Sequence, residues 1–550
     1  LQGVDKVLGL AVIKDNKTLF CKSIGKARLN PDGTENKTAN EFVKYRTASI
    51  SKLFTAVAIW QLEERGLLKV TDEVSKYLNF TLRNPHFPDI PITIEMLLSH
   101  TSSLAENGSN YNIEYNHHIS EFFTKDSEIY YNGSYSKTNW QGYFDYMNIN
   151  YCLLGTIIEN VTNQRFDLYM IENVLKPLDI TGSFNIYEMP KETLDQTGTI
   201  YEKLTKGEFD INGKWTPRMD DFTNGYPYAD YSDYVIGTNG ALYGPMGSLR
   251  ISLTELTHLV YMFLNNGTYN NKKILEKETV EKMFKIIWKY DKEKNKGNTY
   301  DDYDYAYAGG PSVITNIGRN RLHEKKNLNF SGHTADAYGL FGGLYVDRIK
   351  GYGVVYRGNG ISIDLETNVY SFSPYNKWAI DFIKLADDIA QFDYPEINNG
   401  DNNTDNNKND NDNSYIIYIV VAVIIVVVIC AIIVAFFFFR KKKKTKSSEE
   451  KSETNISFPP SKKHKAKEND KKTIDFTKKQ LSDKESGKDL KNPTKSFYGS
   501  KLYKIKKAAG AFLSILSRTQ SIEDERLPFI LRKNGHDISI MTGGVFQCLS

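Results

Sequence analysis

Cysteine is scarce in this chain. Four occur in 550 residues, at Cys21, Cys152, Cys430 and Cys548, and none are paired at metal-ligand spacing. That excludes a disulfide-dense scaffold and a cysteine-held metal, and leaves one Cys21–Cys152 bridge open. Net charge is small as well, +3 from 70 basic and 67 acidic residues. It is unevenly spread. Residues 440–550 hold 27 Lys and Arg against 13 Asp and Glu, leaving 43 against 54 in residues 1–439. An acidic body with the basic excess confined to the end argues against nucleic-acid binding. The chain starts at Leu1 with no signal peptide. An outward-facing body needs one, so a trimmed start is expected.

Long apolar runs are lacking, with one exception. Tyr415 to Phe439 is a stretch of 25 uncharged, mostly apolar residues, followed at once by Arg440 and Lys441 to Lys444. Its length suits a transmembrane helix, and the positive-inside rule puts the tail in the cytoplasm. The expected layout is an extracellular or lumenal body over 1–392, an Asn/Asp-rich stalk over 393–414, a single-pass transmembrane helix over 415–439, and a basic, largely disordered tail over 440–550. N-x-S/T acceptors fit that topology. They occur at Asn16, Asn36, Asn79, Asn107, Asn132, Asn160, Asn266, Asn329 and Asn402, with only Asn455 in the tail. Asn329, next to a motif described below, is expected to be buried and unmodified. Leu502 to Leu516 is basic and amphipathic. It reads either as a contact for anionic inner-leaflet lipid or as a solvated charge run.

Three short patterns carry chemistry. Ser49 and Lys52 form S-x-x-K at the mouth of an apolar-periodic helix that Gly66 would stop. One turn apart, the lysine amine stands beside the serine hydroxyl, and burial favours its neutral, basic form. The same spacing at Ser23–Lys26 and Ser448–Lys451 opens no such helix. Tyr146 and Asn148 form Y-x-N ahead of a helix expected to reach Thr162. Tyr130–Asn132 and Tyr269–Asn271 share that pattern without a buried helix behind it. Gly332-His333-Thr334 lies within Leu328–Ala335, which reads as a strand, with further strands over Gly339–Asp347 and Gly351–Arg357. Taken alone, His333 reads rather as a satisfied strand histidine, and His100 reads as structural, capping or bracing its loop.

Elsewhere, Val7–Ile13 and Thr18–Ile24 read as a hairpin. Ser252–Glu255 is a capping box for a helix ending near Leu264. Leu275–Trp288 reads as a helix, and so does the amphipathic stretch Pro374–Phe392. Residues 105–145 and 200–245 read as loops.

In order, these motifs resemble the serine β-lactamase-related hydrolases, nearest the class C β-lactamase, D-Ala-D-Ala carboxypeptidase and esterase branch. The resemblance covers most of residues 5–390. It implies an α+β fold of the β-lactamase/transpeptidase type, an antiparallel sheet flanked by helices with an inserted helical lobe. It implies Ser49 as the acylated nucleophile, Lys52 and Tyr146 as shared general base, and Asn148 as a ligand for a substrate amide. The strand His333, Thr334 and Ala335 would pair with the substrate, and backbone N–H groups of Ser49 and Asp336 would form the oxyanion hole. No metal or organic cofactor is implied. The partner is a small ester, amide or peptide substrate. Ala335 replaces a usual glycine, Asp336 would repel a substrate carboxylate, and Ser103 replaces another glycine. The rival expectation is a cell-surface binding or signalling protein that has lost its chemistry.

Overall fold

Every residue from Val7 to Ile13 except Gly9 is a buried apolar one, which marks a strand covered on both faces rather than one. The computed structural model describes residues 4–30, 32–107, 110–361 and 367–392, with the strands Phe529–Lys533 and His536–Ile540. In it, alternate residues of strand Val4–Lys14 serve two cores. Ala11 and Ile13 join the larger cluster, while Leu8, Leu10 and Val12 join the smaller. The strand turns back through Asp15 and Asn16, both at positive φ (49° and 58°), into Lys17–Leu29.

The sheet is antiparallel along its main path. From one edge the order is Trp288–Lys289, Ala306–Tyr307, Ser312–Val313, Ser331–Ala337, Leu340–Asp347, Tyr352–Ile361, Val4–Lys14, Lys17–Leu29 and Glu35–Thr38. The α-helices of the described residues are α1 (Ser51–Glu64), α2 (Ile94–Leu98), α3 (Asn148–Thr162), α4 (Phe166–Met170), α5 (Lys191–Asp195), α6 (Leu253–Leu264), α7 (Lys277–Phe284) and α8 (Lys377–Ala390). Helix α8 covers one face of the sheet through Trp378, Ile380, Phe382 and Ile383. The other face packs on α6 and on the helical lobe around α1 and α3. Helix α1 is buried from Ser51 through Leu62, so it shows no polar stripe. It stops at Gly66 (φ 68°), as expected.

Three expectations change. Residues 105–145 are not a surface loop throughout: a 3-10 turn, Ile119–Phe123, buries Ile119, Phe122 and Phe123, and Phe144 is fully buried. Residues 200–245 contain the paired strands Ile200–Thr205 and Lys214–Met219. Helix α7 ends at Phe284, because Lys285 turns extended and Trp288 joins an edge strand opposite Tyr307, where its ring stacks on Phe144. Cys21 and Cys152 are both free, so no bridge joins them. Among the described residues no helix is long and apolar enough to cross a membrane. The run 415–439, the stalk 393–414 and most of the tail lie outside those residues. Within 440–550 the described part is an antiparallel hairpin, Phe529–Lys533 with His536–Ile540.

The capping box of α6 is present, and it does more than cap. Glu255 accepts from Ser252 N (2.8 Å), Thr181 N (2.9 Å) and Lys44 Nζ (2.6 Å), tying the short ladder Lys44–Arg46/Arg250–Ser252 to the helix start. Burial pushes this carboxyl up. Lys44 and the two backbone N–H groups outweigh it and bring the pKa down from 4.5 to about 2. A depressed carboxylate pKa contributes stability that is complete above the unfolded value and fades as the pH falls through the folded one. Glu255→Gln should therefore cost about 3 kcal/mol at pH 7 in denaturant unfolding, and the loss should shrink as the pH drops toward 2. A penalty unchanged between pH 7 and pH 3 would contradict this.

Candidate active site

Ser49 sits in a 3-10 turn, Ala48–Ile50, between the strand Lys44–Arg46 and α1. Ala48 holds φ 44°, a left-handed conformation that a residue with a Cβ adopts only when its surroundings impose it. The turn leaves Ser49 partly exposed between buried neighbours. One turn along, Lys52 has no exposed surface. Its Nζ lies 3.1 Å from Ser49 Oγ, 2.8 Å from Asn148 Oδ1 and 2.8 Å from the Met246 carbonyl oxygen. Burial draws the Lys52 pKa down to about 7. Glu106 and Cys152 act against that fall, and Arg46 adds to it.

Tyr146 arrives from the chain just before α3. Its Oη is 3.0 Å from Ser49 Oγ, and burial keeps the phenol far above its ordinary pKa, hence protonated. The ring lies against His100 at a centroid distance of 4.3 Å, and Lys52 Nζ stands 5.0 Å from the ring centroid. His100, at φ 57°, accepts the Met147 N–H on Nδ1 at 3.1 Å, so it is structural as expected but braces the approach to α3 rather than its own loop. Burial, then the charge of Lys52, keeps it neutral. Ser103 also takes positive φ (66°), held by Asn84 Nδ2, which donates to Ser103 Oγ at 3.1 Å. That is a structural role for the position where a glycine is usual.

The strand Ser331–Ala337 pairs with Leu340–Asp347 along its length but with Ser312–Val313 only at Ser331 and Gly332. The strand also packs against the Ala48–Ile50 turn. His333 is 3% exposed. Its Nδ1 is 2.7 Å from the Thr334 carbonyl oxygen, and its Nε2 is 2.9 Å from Tyr307 Oη. Burial first and Lys52 second push its pKa down to about 3, so the imidazole is neutral. One expectation is corrected here. Ala335 is 3% exposed and packed in the larger core, so its methyl presents almost no surface to a bound molecule. Alternation puts Thr334 and Asp336 on the other face of the strand, where the Thr334 hydroxyl is hydrogen-bonded to Tyr303.

Ser49, Lys52, Tyr146, Asn148 and His333 are thus brought together. The beta-lactamase family model matches residues 3–360. The chain belongs to the beta-lactamase family. Among curated relatives, Protein flp of Staphylococcus aureus (strain N315) is 31% identical over 172 residues, covering 31% of this chain and 33% of flp. The chain therefore aligns with about a third of that relative's length. Among solved structures, the penicillin-binding protein homologue from Pyrococcus abyssi is similar at TM-score 0.49 and 22% identity, covering 70% of this chain and 73% of that one. The D-amino acid amidase from Ochrobactrum anthropi SV3 is similar at TM-score 0.48 and 15% identity, covering 70% and 93%.

Three participants in this beta-lactamase family site had no signal in the sequence. Glu106 accepts from Asn148 Nδ2 at 2.9 Å and from Ile149 N at 2.7 Å. Met246 contributes only its backbone carbonyl, and Tyr307 holds His333. Because burial brings Lys52 to half-protonation near pH 7, its Cε resonance should titrate with a midpoint near 7 in NMR of lysine-labelled protein and vanish in Lys52→Met. A midpoint at the ordinary lysine value would show that the amine is solvated.

Proposed function

We propose that this protein is a serine hydrolase acting through an acyl-enzyme on Ser49, with an amide, peptide or ester as substrate. One observation carries the reading: the Lys52 amine and the Tyr146 phenol lie 3.1 and 3.0 Å from one serine oxygen. A neutral amine has two N–H bonds and one lone pair. Asn148 Oδ1 and the Met246 carbonyl take the two N–H bonds, which leaves the lone pair directed at Ser49. Lys52 then removes the serine proton as Ser49 Oγ attacks the substrate carbonyl carbon. The Tyr146 phenol gives its proton to the leaving nitrogen or oxygen and regains one from Lys52. The backbone N–H groups of Ser49 and Asp336 are assigned to the oxyanion. Water, deprotonated by the same pair, resolves the acyl-enzyme and releases the acid.

Substrate charge follows from the strand. His333 is neutral, so the position matching the family's Lys or His supplies no positive charge for a substrate carboxylate. A substrate uncharged next to the scissile bond suits this site. The rival reading, a binding protein without chemistry, drew on Ala335, whose methyl is packed in the core. Anchoring through 415–439 with the body outside is part of the proposal. It is supported by the basic residues after that run and by exposed acceptors at Asn16, Asn36, Asn79, Asn132, Asn266 and Asn329. Asn329 is exposed, contrary to expectation, because its neighbours Leu328 and Phe330 take the buried positions.

A fluorophosphonate probe should label the full chain and leave Ser49→Ala unlabelled. Lys52→Met should slow labelling by about 10²- to 10⁴-fold, the usual contribution of a positioned base. The parent rate should rise with pH through about 7 and then level off, as the amine loses its proton. A folded parent that takes up no probe and hydrolyses no p-nitrophenyl ester refutes the enzymatic reading.

A further inference from the structure

Asn148 is an amide, and an amide can face Lys52 with either end. Its orientation decides what the lysine can do. With Oδ1 toward Lys52, the residue only accepts and leaves the amine lone pair for Ser49. With Nδ2 toward Lys52, it donates to that lone pair and ties it up. Nothing on the Lys52 side enforces the choice, because Nζ is compatible with both.

Glu106 enforces it from the other side. Oε1 accepts from Asn148 Nδ2 (2.9 Å), and Oε2 accepts the Ile149 N–H (2.7 Å) at the start of α3. Both carboxylate oxygens are occupied by N–H donors, so the group acts as an acceptor only. We propose that Glu106 is a positioning residue for the hydrolase: it locks the Asn148 amide with Oδ1 against Lys52, and so keeps the amine lone pair aimed at Ser49. This inference rests on the serine-hydrolase reading given above.

Glutamine at this position has the same shape and the opposite effect. The Ile149 N–H still requires an acceptor, which takes Gln Oε1. Gln Nε2 then faces Asn148 and can only donate. Asn148 turns Oδ1 toward it and Nδ2 toward Lys52, and the lone pair is captured. A role confined to charge predicts something else. Lys52 faces Glu106, Cys152, Arg46, His100 and His333, together with the rings of Tyr146 and Tyr151. Removing the carboxylate charge alone would lower the Lys52 pKa, shifting the rate profile to lower pH with its plateau intact.

The test is the pH profile of Ser49 labelling by a fluorophosphonate, which has no amide for Asn148 to bind. Glu106→Gln should lower the high-pH plateau by about 10²-fold, as expected when a positioned base is lost. The double variant Glu106→Gln with Asn148→Asp should recover the plateau. There Gln Nε2 donates to one Asp oxygen and the other accepts from Lys52, with the rising limb moved to higher pH by the adjacent carboxylate. Parent labelling with an undiminished Glu106→Gln plateau overturns this inference and leaves the hydrolase standing. No Ser49 adduct on the folded parent overturns both. Should Glu106→Gln fail to fold, the double variant decides: folded and labelled supports the lock, folded and inert overturns it.

Discussion

A lysine with no exposed surface is the constraint that the rest of the site answers. Burial alone would make Lys52 a weak base, neutral throughout the working range, and a carboxylate in direct contact would keep it charged at neutral pH. Neither extreme can take a proton and return it. Here Glu106 acts from one residue away, through Asn148, while the faces of Tyr146 and Tyr151 lie 5.0 and 5.5 Å from the amine. Glu106, and Cys152 with it, restore part of what burial removes, and the pKa comes to rest at about 7. A base near the working pH is the most efficient kind. The interposed amide is what makes the coupling intermediate rather than absent or complete.

Such a balance survives only if the groups cannot drift. Ser49 and Lys52 come with one rigid unit, because α1 is buried along most of its length. Asn148 opens α3, which is buried from Ile149 through Glu159. The two helices pack on each other and on the sheet face that carries Ser331–Ala337. Helices apolar on every side are costly in a small protein, and here they serve to hold two side chains at hydrogen-bonding distance from one oxygen. The strand contributes in another way. Its pairing with Ser312–Val313 ends at Gly332, and the strand also packs against the Ala48–Ile50 turn.

What the sequence revealed of this site was local. Ser49 and Lys52 are three residues apart at a helix start, and that spacing alone puts them side by side. Tyr146 and Asn148 were legible because a strongly apolar helix follows them. Glu106 was not. Its partner lies 42 positions on, and it sits in a polar, aromatic stretch whose buried anchors, Ile119, Phe122 and Phe123, span a single turn, too short a run to read as an element. Met246 had no signal because only its carbonyl is used, which any residue could supply. Trp288 fitted a helical pattern, and what ended α7 was a tertiary contact, its ring stacked 4.3 Å from that of Phe144. At Thr334 and Ala335 the alternation was readable, but which face met the cleft was not.

The same contact explains why so much aromatic surface surrounds the site. The edge strands Trp288–Lys289 and Ala306–Tyr307 have little ladder to hold them, so ring packing must fix their place. Trp288 stacks on Phe144, Phe144 meets His100 edge-on at 6.2 Å, and His100 lies 4.3 Å from Tyr146. Tyr307 stands edge-on to His100 at 5.1 Å and also bonds His333. The sheet edge and the Tyr146 phenol are therefore one packed unit. The two imidazoles in it must stay neutral, since a cation beside Lys52 would drive off the proton that the lysine has to accept. Burial ensures this for both. Of the three basic groups Lys52, His100 and His333, only Lys52 changes charge near neutral pH. The aromatic packing that positions Tyr146 thus also leaves the proton balance of the pocket to Lys52.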